Sequence, residues 1–254
     1  MKLSFPFDPV ERAEESERCV MKNRKRLYHR FRPAPYYGGI ATADAIGCSF
    51  LCSYCWNYKR NLYPERFDKY YSAREVSANL LKIARKRSFH LFRITGSEPV
   101  LGINSFNHLL EVIKNIYQEI PHSIFILETN GLILGYIKDL TKKLRFKNLW
   151  IRISLKGVDH DSFERITGAK RDYFHYPVIA LKELEAQGVK AWPAVMKDLF
   201  TEEEIRRLKV FLQEYDIQAK LEYEVLERYP FVLENMEKRD FMVKKREKVQ
   251  TEKE

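Results

Sequence analysis

The stretch Cys48-Ser-Phe-Leu-Cys52-Ser-Tyr-Cys55 holds three of the four cysteines of this 254-residue chain, separated by three residues and then by two. Three thiolates so close together on one loop suit a metal or iron–sulfur site better than a disulfide framework. A closed cluster or a structural zinc site uses four ligands. A cluster held by three cysteines therefore leaves one iron free to bind a group that is not protein. The alternative is a zinc site completed by Cys19 or by one of the six histidines.

The composition is that of one globular domain. With 254 residues, 45% of them hydrophobic, the chain can bury a large core, and α/β barrels of this size are often undivided. No run of about 18 apolar residues occurs, so we expect no membrane span. The N-terminal residues include Pro6 and Asp8, where a signal peptide needs an apolar stretch. We therefore predict a cytoplasmic protein with reduced thiols.

Positive charge is concentrated near the N-terminus. The net charge is +10, and residues 18–32, which we call the basic block, contain many lysines and arginines and no acid. Such a block suits RNA, an acidic electron donor such as ferredoxin or flavodoxin, or simply a solvated face.

Strand and helix patterns alternate along the chain. Predicted strands cover 40–46, 89–95, 123–128, 149–155, 189–196 and 220–226. Predicted helices cover 11–21, 72–84, 105–116, 134–144 and 173–187, with a last one opening at Thr201. Capping boxes at Ser72 and Thr201 mark two of the helix starts. Six strands that alternate with helices imply a parallel sheet. We divide the chain into an N-terminal basic approach segment (1–37), a core domain (38–232) and a charged C-terminal helix or tail (233–254).

Polar motifs stand where three predicted strands end. They are Gly96-Ser97-Glu98-Pro99, Glu128-Thr-Asn130-Gly131 and Ser154-Leu-Lys156. Sites in α/β barrels lie at the C-terminal ends of the strands. Each motif also has a structural explanation: the first two are ordinary turn sequences, and a surface lysine can extend its ammonium to water.

The cysteine spacing, the aromatic Tyr54 before the last cysteine and the three strand-end motifs resemble the radical S-adenosylmethionine (SAM) enzymes. In that family three cysteines hold a 4Fe–4S cluster whose open iron binds SAM. One electron then splits SAM into methionine and a 5′-deoxyadenosyl radical. The resemblance implies an α/β fold, a partial (β/α)6 TIM-like barrel. It is closest to an archaeal-type branch related to pyruvate formate-lyase activating enzyme.

The resemblance also implies roles for individual residues. Gly96-Ser97-Glu98-Pro99 is similar to the family's Gly-Gly-Glu-Pro segment, with Ser97 for glycine. Glu128 and Ser154 each replace an aspartate of the activating enzymes, and Cys55-Trp-Asn57 is similar to their Cys-His-Asn. The implied cluster ligands are Cys48, Cys52 and Cys55, and the implied SAM contacts are Tyr54, Gly96, Ser97, Glu98, Pro99, Glu128, Asn130, Ser154 and Lys156. No general acid or base is assigned, because homolysis of a sulfonium needs none.

Three classes of function follow. The first is a radical SAM enzyme that abstracts a hydrogen atom, for example a glycyl-radical activase, which takes it from a backbone glycine of a protein substrate. The second is radical SAM modification of RNA or a small metabolite, which the basic block and the Cys55-Trp56 pair favour. The third is a zinc-bearing nucleic-acid module without catalysis, which explains the charge but not the motifs at strand ends.

Overall fold

The computed structural model describes residues 4–241 and consists of a sheet whose strands are joined by helices. Its strands are β1 (Met21–Lys22), β2 (Lys25–Ala34), β3 (Ile40–Ala45), β4 (Tyr70–Tyr71), β5 (Leu91–Thr95), β6 (Ile124–Thr129), β7 (Leu149–Leu155), β8 (Lys190–Met196) and β9 (Glu222–Glu224). Its α-helices are α1 (Pro9–Val20), α2 (Tyr58–Leu62), α3 (Ala73–Arg87), α4 (Ile103–Glu119), α5 (Leu132–Tyr136), α6 (His160–Thr167), α7 (Tyr176–Ala186), α8 (Glu202–Glu214) and α9 (Pro230–Lys238).

The strand order is β1-β2-β3-β5-β6-β7-β8-β9, and β4 pairs with β2. The strands from β3 to β9 in this order run parallel, whereas β2 lies antiparallel to β3. Within residues 4–241 the first and last strands do not pair, so the sheet curves without closing. The predicted partial (β/α)6 barrel of six parallel strands is thereby confirmed.

The strand and helix predictions agree with most elements. The predicted strand 149–155 coincides with β7, and the capping boxes at Ser72 and Thr201 begin α3 and α8. The last predicted strand, 220–226, is wrong in its length, because β9 covers three residues.

The sequence analysis missed β2, which lies in the basic block and supplies the antiparallel edge of the sheet. Pro33 stands near its end, where a proline would break a central strand. A proline is tolerated there because β1 and β4 pair only with the first residues of β2, from Lys25 to Leu27. The outer side of Pro33 therefore faces no partner strand, so no hydrogen bond is lost. The division of the chain at residue 37 remains a prediction, but the sheet itself begins before it.

The predicted helix over 134–144 is wrong in its extent. The structure has the short α5, then a 3₁₀ turn at Thr141–Leu144. Between them Ile137 has an extended backbone and Asp139 a left-handed one, with φ 64°. These two conformations interrupt the helical hydrogen-bond series.

Two other helices begin at residues that differ from the predictions. Helix α4 begins at Ile103, two residues before the predicted Ser105. Helix α7 begins at Tyr176 and not at Tyr173, after a 3₁₀ turn. Pro177 accounts for this start, because a proline lacks the amide hydrogen and fits a helix only in its first turn.

Helix α6 was also missing from the predictions. Asp159 caps it by accepting a hydrogen bond from the amide of Ser162, and Gly168 ends it with φ 74°. The C-terminal carbonyls of α6 accept hydrogen bonds from the cysteine loop. This unpredicted helix therefore supports the candidate site.

The polar rim of the barrel rests on an apolar layer. Ile126 points to the same face of β6 as Glu128, two residues on. Ile126 packs with Ala34 and Ile40 in a small buried cluster, and Trp150 and Trp192 lie against it. This layer closes the barrel interior below the strand ends.

The predicted charged C-terminal segment is in part a packed helix. In α9, Val232 and Met236 are buried. The rest of that segment, residues 242–254, lies outside the described residues. None of the described helices is long and apolar enough to cross a membrane.

Candidate functional site

One cavity lies at the C-terminal ends of the parallel strands and collects the predicted site residues. The cysteine loop, residues 48–55, forms one wall, and the ends of β5 to β9 form the rest. The predicted residues that line it are Cys48, Cys52, Tyr54, Cys55, Gly96, Ser97, Glu98, Glu128, Asn130, Ser154 and Lys156. Pro99 does not line this cavity. These residues therefore share one cavity, whereas the contact of each of them with SAM stays a prediction.

The cysteine loop presents free thiols, two of which accept hydrogen bonds from backbone amides. Cys48 Sγ accepts one from Phe50 (3.4 Å), and Cys55 Sγ accepts one from Asn57 (3.3 Å). Burial raises the pKa of all three loop thiols to about 12. The thiols are therefore protonated at neutral pH, and a metal must displace these protons when it binds.

The donor set fits an iron–sulfur cluster better than a single zinc ion. Within residues 4–241, no group of three or more His, Cys, Asp or Glu side chains is close enough to bind one metal ion. In a 4Fe–4S cluster each thiolate binds a different iron, so the sulfur atoms need not converge on one point. Cys19, the proposed fourth zinc ligand, lines a separate cavity. Cys19 is therefore not placed beside the loop thiols in that cavity, as a fourth ligand of a shared zinc ion would be.

The outer side of the cysteine loop is held by α6 and α9. The amide of Leu51 donates to Thr167 O (3.1 Å), and the amide of Ser53 donates to Ile166 O (2.8 Å). Arg239 of α9 donates from Nη1 to Leu51 O (2.9 Å). The backbone of the loop is thus fixed by groups far away in the sequence.

Two asparagines join the cysteine loop to the end of β5. Asn57 Nδ2 donates to Gly96 O (2.7 Å) and to Ser97 Oγ (2.9 Å). Ser97 Oγ in turn donates to Asn61 Oδ1 (2.6 Å). Ser97 therefore has a structural reason to replace the second glycine of the family motif. Position 96 requires a glycine, because its φ is +86° and an added Cβ would lie 3.1 Å from the Cβ of Asp44.

The Glu98 carboxylate joins the ends of β5 and β6. It accepts hydrogen bonds from Thr129 Oγ1 (2.6 Å), from the amide of Asn130 (2.7 Å) and from the amide of Val100 (3.0 Å). Burial raises its pKa. Three groups of the protein thus bind this carboxylate, which also lines the cavity, and its contact with SAM stays a prediction.

Glu128 and Asn130 end β6 and contact different parts of the site. Glu128 accepts hydrogen bonds from Arg93 Nη1 (2.7 Å) and Thr95 Oγ1 (2.6 Å), both on β5. Asn130 Nδ2 donates to Ser49 Oγ in the cysteine loop (2.9 Å). We call this well-bonded wall, residues 48–61, 95–98 and 128–130, the cysteine side of the cavity.

The rest of the lining, which we call the β9 side, includes charged residues from β7 and β9. Arg152 donates from Nη1 to Glu224 Oε1 (2.7 Å) and from Nε to Glu222 Oε1 (3.0 Å). Glu224 Oε2 is buried and has no hydrogen bond of good geometry. Burial alone would raise the pKa of Glu224, but Lys156, Arg152 and Ser154 lower it. The carboxylate is thus ionised at neutral pH and has an acceptor oxygen to spare.

Lys156 stands between this wall and the cysteine loop. Its ammonium lies 5.7 Å from the centre of the Tyr54 ring. Burial alone would lower the pKa of Lys156, but Tyr54 and Glu224 raise it. Lys156 is therefore a fixed cation at the cavity wall, as a contact with a carboxylate or ribose oxygen of SAM requires.

Sequence reasoning missed the charged residues within the strands. Arg93, Arg152, Glu222 and Glu224 project into the barrel but belong to no motif. The available signal was an arginine inside an apolar strand, as in Leu-Phe-Arg93-Ile-Thr, since a buried arginine requires a partner.

Relatives with assigned activities match part of the chain. A probable GTP 3′,8-cyclase of Saccharolobus solfataricus is 33% identical over 122 residues, which cover 48% of this chain and 35% of that protein. The GTP 3′,8-cyclase of Microcystis aeruginosa is 27% identical over 121 residues, with the same two shares. The match thus spans about a third of the length of these relatives. The narrower resemblance to pyruvate formate-lyase activating enzyme stays a prediction.

Solved structures share the fold. A spore photoproduct lyase variant with bound SAM and dinucleoside spore photoproduct has a TM-score of 0.62 at 16% identity, covering 87% of this chain and 64% of that one. SuiB of Streptococcus suis bound to SAM has a TM-score of 0.57 at 18% identity, covering 73% and 40%. The family model of the radical SAM superfamily matches residues 45–212. The chain therefore belongs to the radical SAM superfamily, whose cofactors are a 4Fe–4S cluster and SAM.

Proposed function

We propose that the protein cleaves SAM reductively and uses the product to remove a hydrogen atom from a substrate. When bound, the reduced cluster would supply one electron to SAM, which would break the C5′–S bond to give methionine and a 5′-deoxyadenosyl radical, and the radical would become 5′-deoxyadenosine on taking the hydrogen. The observation that carries the proposal is the convergence of Cys48, Cys52 and Cys55 with Gly96 and Lys156 on one cavity.

The residues of the chain bind and orient in this reaction. The three thiols hold the cluster, and Asn57 and Asn61 keep the Gly96–Ser97 turn against the cysteine loop. We assign Lys156 to the carboxylate or ribose of SAM, where a fixed cation is favourable.

The test is anaerobic reconstitution of the full chain. We expect four irons per chain and, with dithionite and SAM, formation of 5′-deoxyadenosine. Zinc in place of iron, or four irons without any 5′-deoxyadenosine, would contradict the proposal.

The electron would come from an acidic partner such as ferredoxin or flavodoxin. The net charge of +10 supports this, and so do the exposed side chains of Arg18, Lys22 and Arg24. Association should weaken with added salt, because exposed charges are screened. We also propose a cytoplasmic location, because free thiols persist in a reducing compartment.

A protein substrate, as a glycyl-radical activase uses, is the candidate we favour. Val225 lines the cavity and is 73% exposed, and Tyr229 and Phe231, which stack on each other, are exposed close by in sequence. Exposed apolar groups together suit a protein contact. With a glycyl-radical enzyme as partner, we expect a glycyl radical signal that Phe231→Ser weakens while leaving 5′-deoxyadenosine formation in the absence of partner unchanged.

RNA and nucleoside triphosphates are less well supported. Within the basic block Arg26 is buried, while Arg30 and Arg32 bind the Asp44 carboxylate at 2.6 and 2.8 Å. In the cavity Arg152 is paired with glutamates, so it is not available to phosphate. RNA binding that falls steeply with salt would reverse this preference.

A further inference from the structure

Two buried arginines are hydrogen-bonded to residues that contact the cysteine loop or its first residue's neighbour, Gly47. Arg12 projects from α1 and is 8% exposed, and Arg26 projects from β2 and is 1% exposed. Within residues 4–241 neither forms an ion pair with a carboxylate. Arginine stays charged in proteins, so both positions carry a buried positive charge.

The two guanidinium groups use few of their hydrogen-bond donors. Arg12 Nη2 donates to Asn61 O (2.7 Å), whereas its buried Nε has no partner. Arg26 Nη2 donates to Glu98 O (2.7 Å), whereas its buried Nε and Nη1 have none. An unsatisfied buried donor costs about 1–3 kcal/mol, and more when it is charged. Such groups need a compensating negative charge or a function.

The partners of both arginines lead to the cysteine loop. Asn61, which binds Arg12, also donates from Nδ2 toward Cys55 Sγ (3.8 Å). Ser16, one turn after Arg12 on α1, donates to Cys48 O (3.3 Å). Glu98, whose carbonyl binds Arg26, donates its amide to Gly47 O (3.1 Å), next to Cys48.

Electrostatics agrees with this geometry. Burial lowers the pKa of Arg12, and Cys48 comes first among the groups that raise it, before Glu15 and Tyr58. Burial also lowers the pKa of Arg26, against which Tyr28, Glu98, Glu17 and Cys48 act. Neither arginine forms an ion pair with these acids, and Cys48 acts on both of them.

We propose that Arg12 and Arg26 are fixed counter-charges of the iron–sulfur cluster and raise its reduction potential. Three thiolates bring negative charge to the site, and reduction adds one more electron. A fixed positive charge in a poorly solvated position stabilises the reduced form more than the oxidised form. Local charge and hydrogen bonding are among the factors that set the potentials of such clusters. Neither arginine lines the cavity at the strand ends, so both would act on the cluster through their charge and not by touching SAM.

The inference rests on the proposed cluster, and its test separates the two. Reconstituted wild-type protein, Arg12→Met and Arg12→Lys are poised without SAM at one potential, and the reduced fraction is measured by electron paramagnetic resonance. We expect the reduced-to-oxidised ratio of Arg12→Met to fall about tenfold, which is about 59 mV for a one-electron couple. Arg12→Lys should stay within about twofold of wild type, since it keeps the charge.

The matched control is Arg18→Met, because Arg18 lies exposed on the same helix. It should keep the wild-type ratio. Arg26→Met should lower the reduced-to-oxidised ratio as Arg12→Met does. If Arg26→Met does not fold, the comparison of Arg12→Met with Arg12→Lys tests the inference. Iron loss in Arg12→Met but not in Arg12→Lys also supports the inference, because the cluster would then depend on the positive charge at position 12.

Three results would overturn the inference. The first is an unchanged reduced-to-oxidised ratio in Arg12→Met that carries its full iron. The second is a fall in Arg18→Met equal to that in Arg12→Met. The third is iron loss in both Arg12→Met and Arg12→Lys, which would show that Arg12 acts by packing and not by charge. A wild-type protein that takes up no iron would instead contradict the proposed function.

Discussion

The two walls of the cavity differ in how their polar groups are used. On the cysteine side, the carboxylate of Glu98 and the amides of Asn57 and Asn130 bind protein partners that join the loop to β5 and β6. On the β9 side, Lys156 and Glu224 face the cavity as charges, and Glu224 Oε2 has no hydrogen bond of good geometry.

This difference suggests a division of work. The bonds that join the cysteine side to β5 and β6 exist before any ligand arrives, as a metal site that must hold one geometry requires, although the buried hydroxyls of Ser53 and Tyr54 on that side form no hydrogen bond of good geometry within residues 4–241. A wall with unsatisfied charge is completed by its ligand. We therefore expect changes on the cysteine side to reduce cluster content and changes on the β9 side to reduce ligand affinity.

The largest effect should come from removing a cluster ligand. In Cys52→Ala we expect less than four irons per chain and a fall in SAM cleavage of about 100-fold or more, since even an outer partner of a metal ligand contributes 10–100-fold. Iron analysis and 5′-deoxyadenosine formation measure this. Cys19→Ala is the control and should keep both, because Cys19 lines another cavity. Full activity in Cys52→Ala would show that the loop is not the cluster site.

Breaking the bond between the loop and β5 should have the next largest effect. Asn57→Ala leaves Gly96 O without its donor, which costs about 1–3 kcal/mol of unfolding free energy. We expect iron retention and SAM cleavage to fall about 10–100-fold, as for other outer partners of metal ligands. Asn79→Ala is the control, because Asn79 donates only to Glu75 O on the exposed face of α3. Equal losses in both variants would remove the distinction between the two walls.

A change on the β9 side should leave the cluster intact. Glu224→Gln should retain four irons and bind SAM or substrate about tenfold more weakly, because a hydrogen bond to a charged group contributes about 1.5–3 kcal/mol. The KM for SAM in 5′-deoxyadenosine formation is the measurement. Glu227→Gln, at the exposed rim of the same cavity, should show little change. Iron loss in Glu224→Gln would contradict the proposed division.

The smallest effect on SAM cleavage should come from His108, which lies on neither wall. Burial, with a contribution from Arg26, lowers its pKa to about 4. The unfolded imidazole takes up a proton near pH 6.5, so the wild-type protein should lose up to about 3 kcal/mol of stability as the pH falls from about 6.5 to 4. His108→Gln should flatten this dependence in denaturant unfolding and leave cleavage unchanged. An unflattened curve would show that another group is responsible.

Much of the fold followed from local patterns. The near-continuous apolar run 149–155 is β7, as expected of a strand buried on both faces. The boxes at Ser72 and Thr201 begin helices, because their hydrogen bonds are local. Strand β2 escaped prediction because its pairing depends on β3 and β4, which no residue within 25–34 reveals.

The site was predictable where motifs exist and hidden where contacts are long-range. The cysteines and strand-end motifs were found, and the structure brings all but Pro99 to one cavity. The reason for Ser97 appears only once Asn57 and Asn61 are seen beside it. Arg12 and Arg26 read as ordinary basic residues, because burial depends on the packing of α1 and β2 around the loop.

The central claim is that the three cysteines leave one iron for SAM, and hyperfine spectroscopy tests it most directly. The reduced, reconstituted protein is mixed with SAM labelled with ¹⁷O in the carboxylate and ¹⁵N in the amino group. We predict hyperfine coupling from both labels to the cluster spin. A fully loaded cluster that shows no coupling at saturating SAM would contradict the account.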